Sequence, residues 1–247
     1  IGNARAFSAR TGEKVWEFSS VPQPGEPGHD TWEGDSWRDR LGVNAWPFYF
    51  SMDEERGLLY LPLASPIPAD YGGDRGGDNL YGNAVVAVDI ETGAYRWHFQ
   101  TIRHDLWDAD PPAPPALFDI PRDGGSIPAL GVTTKSGYLY ILNRETGEPI
   151  YGVEDIEVAA SDVPGEQAAT TQPVPVKPTG LARVRFDPGD LVTAEDTSAE
   201  HAAACAEMVA GLGELYNAGP FTPWVYRAEG APPRTTISFP GGVGGAN

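Results

Sequence analysis

Short runs of alternating apolar and polar residues, each about one strand long, punctuate the chain from end to end, and three stretches follow one scheme. They are "RAFSARTGEKVWEF" (5–18), "VAVDIETGAYRWHF" (86–99) and "YILNRETGEPIYGV" (140–153). Each opens with an alternating strand, continues through a polar residue (Ser8, Asp89, Asn143) to a Thr-Gly turn, and closes on a second strand. That second strand carries an aromatic at the same offset: Trp16, Trp97 and Tyr151. The scheme predicts β-hairpins in which the Asp or Asn side chain caps the turn backbone, Gly12, Gly93 and Gly147 take positive φ, and the aromatic lies on a neighbouring sheet. One such hairpin is common and uninformative, whereas three with a co-registered aromatic define an internal repeat.

Further strand candidates lie between the copies: "AWPFYFSM" (45–52), "GLLYLPLA" (57–64), "ALGVTTKSGYLYIL" (129–142) and "RVRF" (183–186). Many short strands, Gly and Pro punctuation and a repeating aromatic predict an all-β radial array, a β-propeller with blades of about 40 to 50 residues. The copies are unevenly spaced, so insertions separate some strands. One such excursion is expected over 160–220, extended through its Pro-rich part (164–188) and then helical near 197–216. Ser198 or Thr197 is the candidate N-cap, and Cys205 and Met208 are expected to face inward.

Composition narrows the function classes. The chain of 247 residues has Gly 30, Pro 24 and 40% hydrophobic residues, enough to bury a sizeable core in one or two units. A formal charge of −18 argues against nucleic acid or an anionic membrane surface as partner, since those are bound through clustered Lys and Arg. With one cysteine, Cys205, there is no internal disulfide and no cysteine-based metal cluster, and four unpaired histidines do not suggest zinc. No apolar run is long enough to cross a bilayer. The sequence opens and stops beside strand-like runs, so it is expected to be an internal piece of a longer protein, with any signal or anchor in the remainder.

The hairpin repeat resembles the tryptophan-docking motif of the dehydrogenases dependent on pyrroloquinoline quinone (PQQ). Several segments match that family in order: "HDTWEGDSW" (29–37), "DEERGLLYLPLASP" (53–66), "YGGDRGGDNLYGNAVVAVD" (71–89), "HDLWDADPPAPP" (104–115), "TTKSGYLYILNRETGEP" (133–149) and "PGGVGGAN" (240–247). The chain looks most similar to the glucose and polyol dehydrogenase branch. The resemblance implies part of an eight-bladed propeller and a quinoprotein enzyme that oxidises a sugar, such as glucose, or an alcohol. It implies PQQ and calcium as cofactors, a periplasmic location, and a respiratory quinone or cytochrome as electron acceptor. Membrane contact is expected only through segments outside this chain.

The resemblance also assigns roles. The Asp after the Trp of "HDLWD" is the family's catalytic base, which falls on Asp108; a base must take the hydroxyl proton as hydride leaves the same carbon. Lys135 falls where the family places a cation on the quinone oxygens. Trp46 lies where it supplies a stacking tryptophan, with a core tryptophan as the other reading. Asp108 and Ser65 are the expected metal ligands. Ser65 is a departure, because "Ala64-Ser65-Pro66" stands where the family often has Gly-Asn before Pro, that Asn being a calcium ligand. Tyr151 in place of Trp is a second departure, and the family's glutamate ligand is expected before residue 1. Trp32 and Trp37 read as packing residues, and Glu33 and Asp35 as braces at the cofactor face. His104 is a candidate to orient the base or touch substrate, and His29 to sit at the cofactor face. Prolines 111, 112, 114 and 115 hold the loop after Asp108 extended.

Without the resemblance, "DLWDAD" reads as a solvated acidic loop and Lys135 as a turn lysine. The alternative from another class is therefore a non-catalytic β-propeller scaffold that keeps the repeat for stability. The discriminating feature is whether Asp108 and Lys135 converge on one cavity.

Overall fold

The computed structural model describes residues 2–46 and 49–241. Thirteen strands and one α-helix run in the order β1 (Ala4–Phe7), β2 (Lys14–Phe18), β3 (Ser51–Asp53), β4 (Leu58–Pro62), β5 (Ala84–Asp89), β6 (Tyr95–Gln100), β7 (Ala116–Arg122), β8 (Gly125–Thr133), β9 (Leu139–Asn143), β10 (Val153–Glu157), β11 (Thr171–Pro175), α1 (Ala199–Gly211), β12 (Glu214–Tyr216) and β13 (Arg234–Thr236). The largest sheet is an antiparallel meander, β3-β4-β5-β6, the form of a propeller blade. It is followed in sequence by the meander β7-β8-β9 and preceded by the hairpin β1-β2.

β5 explains how the sheets stack. Its "AVVAV" run is buried on both faces, so alternation divides it. Val86 and Val88 pack with Trp16, Phe18, Leu61 and Leu63, whereas Val85 and Ala87 pack with Tyr60, Trp97, Leu130 and Tyr140. One strand thus serves two cores, which is why it reads as a continuous apolar run.

The repeat is a lock between neighbouring sheets. In each copy the turn glycine donates to the carbonyl of the capping residue at 2.8 Å: Gly12 to Ser8, Gly93 to Asp89 and Gly147 to Asn143. Side-chain caps close the same turns, with Asp89 accepting from Thr92 N at 2.9 Å and Asn143 from Glu145 N at 2.8 Å. Trp16 then docks on the next copy's turn, donating to the Ile90 carbonyl at 3.0 Å, and Trp97 repeats the contact one copy on, with the Arg144 carbonyl at 3.2 Å. Glycine is required at both turns. A Cβ on Gly93 would lie 2.6 Å from the Trp16 ring, and one on Gly147 2.5 Å from the Trp97 ring.

The third copy departs. Tyr151 is 37% exposed, and past the isolated bridge of Leu142 with Pro149 the chain joins β10 to β11 instead of closing a hairpin on β9. In the segment 45–52, Ala45 forms an isolated bridge with Leu63 and Ser51 opens β3; Pro47 and Phe48 lie outside the described residues. "ALGVTTKSGYLYIL" is two strands, because Gly137 at φ 81° turns the chain between β8 and β9. "RVRF" forms no strand.

The helix also corrects an expectation. Ser198 caps it, its Oγ accepting from His201 N at 3.2 Å, but no residue of α1 is buried and Met208 is 73% exposed. Cys205 is only partly covered. An Ala-rich helix offers little apolar contrast between its faces, so spacing alone does not reveal the buried side. Met208→Lys is accordingly expected to change unfolding free energy by no more than about 0.5 kcal/mol. Denaturant titration checks this, and a larger loss would mean that another part of the protein covers this face.

Candidate active site

The loop between β6 and β7 carries the "HDLWDAD" segment. Leu106, Trp107 and Ala109 are buried, so the intervening Asp108 side chain is left pointing outward, 47% exposed. Trp107 donates through Nε1 to the Thr222 carbonyl at 2.7 Å, and Trp224 donates to the Leu106 carbonyl at 2.5 Å. Asp108 has φ 54°, in the left-handed region that non-glycine residues seldom occupy. Pro111 and Pro115 are buried as the chain leaves toward β7.

Lys135 reaches this loop from the β8–β9 turn. Its backbone N–H donates to the Asp110 carbonyl at 3.1 Å, and its Nζ donates to Asp108 Oδ2 at 2.7 Å. Nζ also lies 2.7 Å from Asp110 Oδ1, an ion-pair contact whose angles fall outside hydrogen-bond geometry. Asp110 is fully buried and accepts a second contact from Trp46 Nε1 at 2.5 Å, and the Trp46 ring lies 5.9 Å from the ammonium. Burial pulls the Lys135 pKa down, but the two carboxylates outweigh it and hold the ammonium above its usual range. Burial pushes Asp110 up, opposed by Lys135 and Trp46.

Beside this group lies a cavity of about 230 Å³. Asp70, Asp108 and Lys135 supply its charge, while Trp107, Phe221, Trp224 and Phe239 supply flat apolar wall. Burial and the Asp108 charge both raise the Asp70 pKa. Such a cavity can take a small flat molecule against aromatic rings, hold an anionic oxygen at the ammonium, and present a carboxylate to a hydroxyl.

The structure brings Asp108 and Lys135 together at the cavity and places Trp46 behind them, half-buried and bracing Asp110, neither on the cavity wall nor in the core. Ser65 points elsewhere: its buried hydroxyl donates to Asp105 Oδ2 at 2.5 Å. Among the described residues no three His, Cys, Asp or Glu side chains gather as a metal group. Calcium takes six to eight oxygens, so the carboxylates of the described residues do not complete a calcium site by themselves. His104 is buried with Nδ1 on the Gly77 carbonyl at 2.8 Å, outside the cavity lining. His29 contacts the Pro22 carbonyl at 3.1 Å, and Asp35 pairs with Arg38 at 2.9 Å in an exposed loop, both away from the cavity. Sequence reasoning singles out the cluster of Asp105, Asp108 and Asp110 but gives a role to Asp108 alone, and it misses Asp70 and most of the aromatic wall. "DLWDAD" contains the acidic spacing, but nothing in "FTPW" (221–224) signals a wall.

An array of antiparallel blades locked by tryptophan on glycine, with a carboxylate and a cation at a loop-built cavity, defines a propeller of the quinoprotein type. The chain belongs to the PQQ family "Glucose/ethanol/alcohol dehydrogenase, beta-propeller domain", which it matches over residues 1–247. It is similar to "Quinate/shikimate dehydrogenase (quinone)" of Acinetobacter baylyi, 34% identical over 77% of this chain and 23% of that protein. It is also similar to "Quinoprotein glucose dehydrogenase" of Gluconobacter oxydans, 34% identical over 70% of this chain and 21% of the relative. Among solved structures, quinohemoprotein alcohol dehydrogenase from Comamonas testosteroni superposes with a TM-score of 0.55 at 28% identity, over 70% of this chain and 27% of that one. The chain thus spans about a quarter of the length of these relatives.

Proposed function

We propose that the protein carrying this chain is a PQQ-dependent dehydrogenase that oxidises a CH–OH group of a sugar or alcohol, with Asp108 as general base. The observation that carries the reading is the convergence of Asp108 and Lys135 at 2.7 Å on the rim of an aromatic-walled cavity, since a scaffold needs no such pair. PQQ, when bound, supplies the two-electron acceptor. The flat aromatic wall is of the kind that holds a planar ring, and Lys135 is the cation positioned to meet an anionic oxygen. Lys135 also fixes the Asp108 carboxylate through Oδ2, which leaves Oδ1 as the oxygen that takes the substrate hydroxyl proton. The aromatic walls exclude water and lie against the carbon skeleton. Because the carboxylates of the described residues do not complete a calcium site, no step is assigned to a metal.

Relatives are named for quinate or shikimate, glucose and glycerol, all polyhydroxylated, which supports a polyol or sugar substrate. Names that specify a quinone or cytochrome c support onward transfer to such an acceptor, in keeping with a periplasmic location. The test is dye-linked oxidation of glucose, quinate, glycerol and ethanol by the complete protein, with and without added PQQ and calcium. Turnover that requires PQQ and favours the polyols is expected. A folded protein that neither binds PQQ nor reduces dye would overturn the reading in favour of a binding scaffold.

A further inference from the structure

Asp105 lies three residues before Asp108 and takes no part in the cavity lining. It is buried, and its carboxylate gathers four donors. Oδ1 accepts from the backbone N–H of Trp107 at 3.0 Å. The Ala109 N–H reaches both oxygens, at 3.4 Å and 3.1 Å. Oδ2 accepts in addition from Ser65 Oγ at 2.5 Å and Asn83 Nδ2 at 2.9 Å. Asn83 also donates to Ser65 Oγ at 3.1 Å, and the buried Arg75 guanidinium donates to the Asp105 backbone carbonyl.

Trp107 and Ala109 flank Asp108, so one carboxylate grips the peptide on both sides of the residue that faces the cavity. The left-handed conformation of Asp108 persists only where its surroundings hold it, and these two amide contacts lie on either side of it. Ser65 follows β4 and Asn83 immediately precedes β5, so the grip is anchored on two strands of the largest sheet. Every side-chain and amide partner of the carboxylate is a donor, a demand that two acceptor oxygens meet and an amide does not.

We propose that Asp105 is a positioning residue for the oxidation chemistry: it clamps the backbone around Asp108, with Ser65 and Asn83 as the anchors of the clamp. This rests on Asp108 being the base. In this arrangement Ser65 acts on the site through Asp105, and its hydroxyl is committed to that bond.

The test uses the cofactor-loaded enzyme at saturating calcium, comparing Asp105→Asn, Ser65→Ala, Asp108→Asn and the double variant Asp105→Asn/Asp108→Asn for kcat, KM, PQQ affinity and Tm. Asp105→Asn is expected to lower kcat about 30- to 100-fold, the scale of a misplacement near 1 Å, with KM and PQQ affinity within about threefold. Ser65→Ala, which removes one anchor, lowers kcat about 3- to 10-fold. Because Asp105 acts only through Asp108, the double variant is no more than about twofold slower than Asp108→Asn alone. Wild-type kcat in a folded Asp105→Asn enzyme overturns the clamp, and so does a double variant in which the two losses multiply. If Asp105→Asn does not fold, Ser65→Ala decides, and full kcat in that folded, loaded variant overturns the proposal. An Asp108→Asn enzyme with wild-type turnover removes the base assignment and the clamp together, whereas a slow Asp108→Asn beside a fast Asp105→Asn removes the clamp alone.

Discussion

Asp108→Asn lowers kcat by about 10³-fold, within the range that a positioned general base contributes, while the protein still folds and takes up PQQ. The substitution keeps shape and leaves an oxygen for the Lys135 ammonium, which in wild type sits 2.7 Å from Oδ2. What it removes is the capacity to receive the hydroxyl proton. Stability is expected to change little, because the Asp108 side chain is nearly half exposed and Lys135 keeps its contact with buried Asp110. Pre-steady-state reduction of the loaded cofactor isolates the chemical step from dye transfer. A loss under about tenfold in that step would assign proton removal to another group, with Asp70, which lines the same cavity, the next carboxylate to test.

The repeat was legible because its physics is local. A Gly needed at positive φ, a capping side chain and a tryptophan that lands on the next Gly leave a fixed spacing in the sequence, and Trp16 and Trp97 dock as that spacing implies. Asp108 and Lys135 were legible only through the resemblance, since an acidic loop and a turn lysine carry no mark of meeting across 27 residues. The bracing of Asp110 by Trp46 and of Asp105 by Ser65 was not legible. Those pairs are 64 and 40 residues apart, and each depends on how blades stack. Ser65 stands where the resemblance places a metal ligand, and the bond its hydroxyl makes, to Asp105, could be read only from the fold. β10 and β11 escaped because acidic residues and prolines mask the alternation of "VEDIE" and "TQPVP".

Lys135→Met is expected to cost about 3 kcal/mol of stability as well as nearly all turnover, by the logic of a buried ion pair that loses one partner. The ammonium serves two carboxylates with different needs. Asp108 is half in water and can do without it, whereas Asp110 is fully buried, and without Lys135 its side chain keeps only the Trp46 donor. The cost falls at the low end of the usual range because burial already pushes Asp110 toward protonation, so the orphaned carboxyl can take a proton instead of keeping its charge. Methionine fills the volume of the lysine stem, so packing loss contributes little. Urea unfolding measures the cost, and the double variant Lys135→Met/Asp110→Asn interprets it. Removing both buried charges should restore most of the lost stability, yet turnover should stay low because the cavity still lacks its cation. A single variant within about 0.5 kcal/mol of wild type would show instead that Asp110 is neutral in the native protein. Recovery of stability without recovery of rate separates the two demands on Lys135, charge balance for Asp110 and a cation for the chemistry at Asp108.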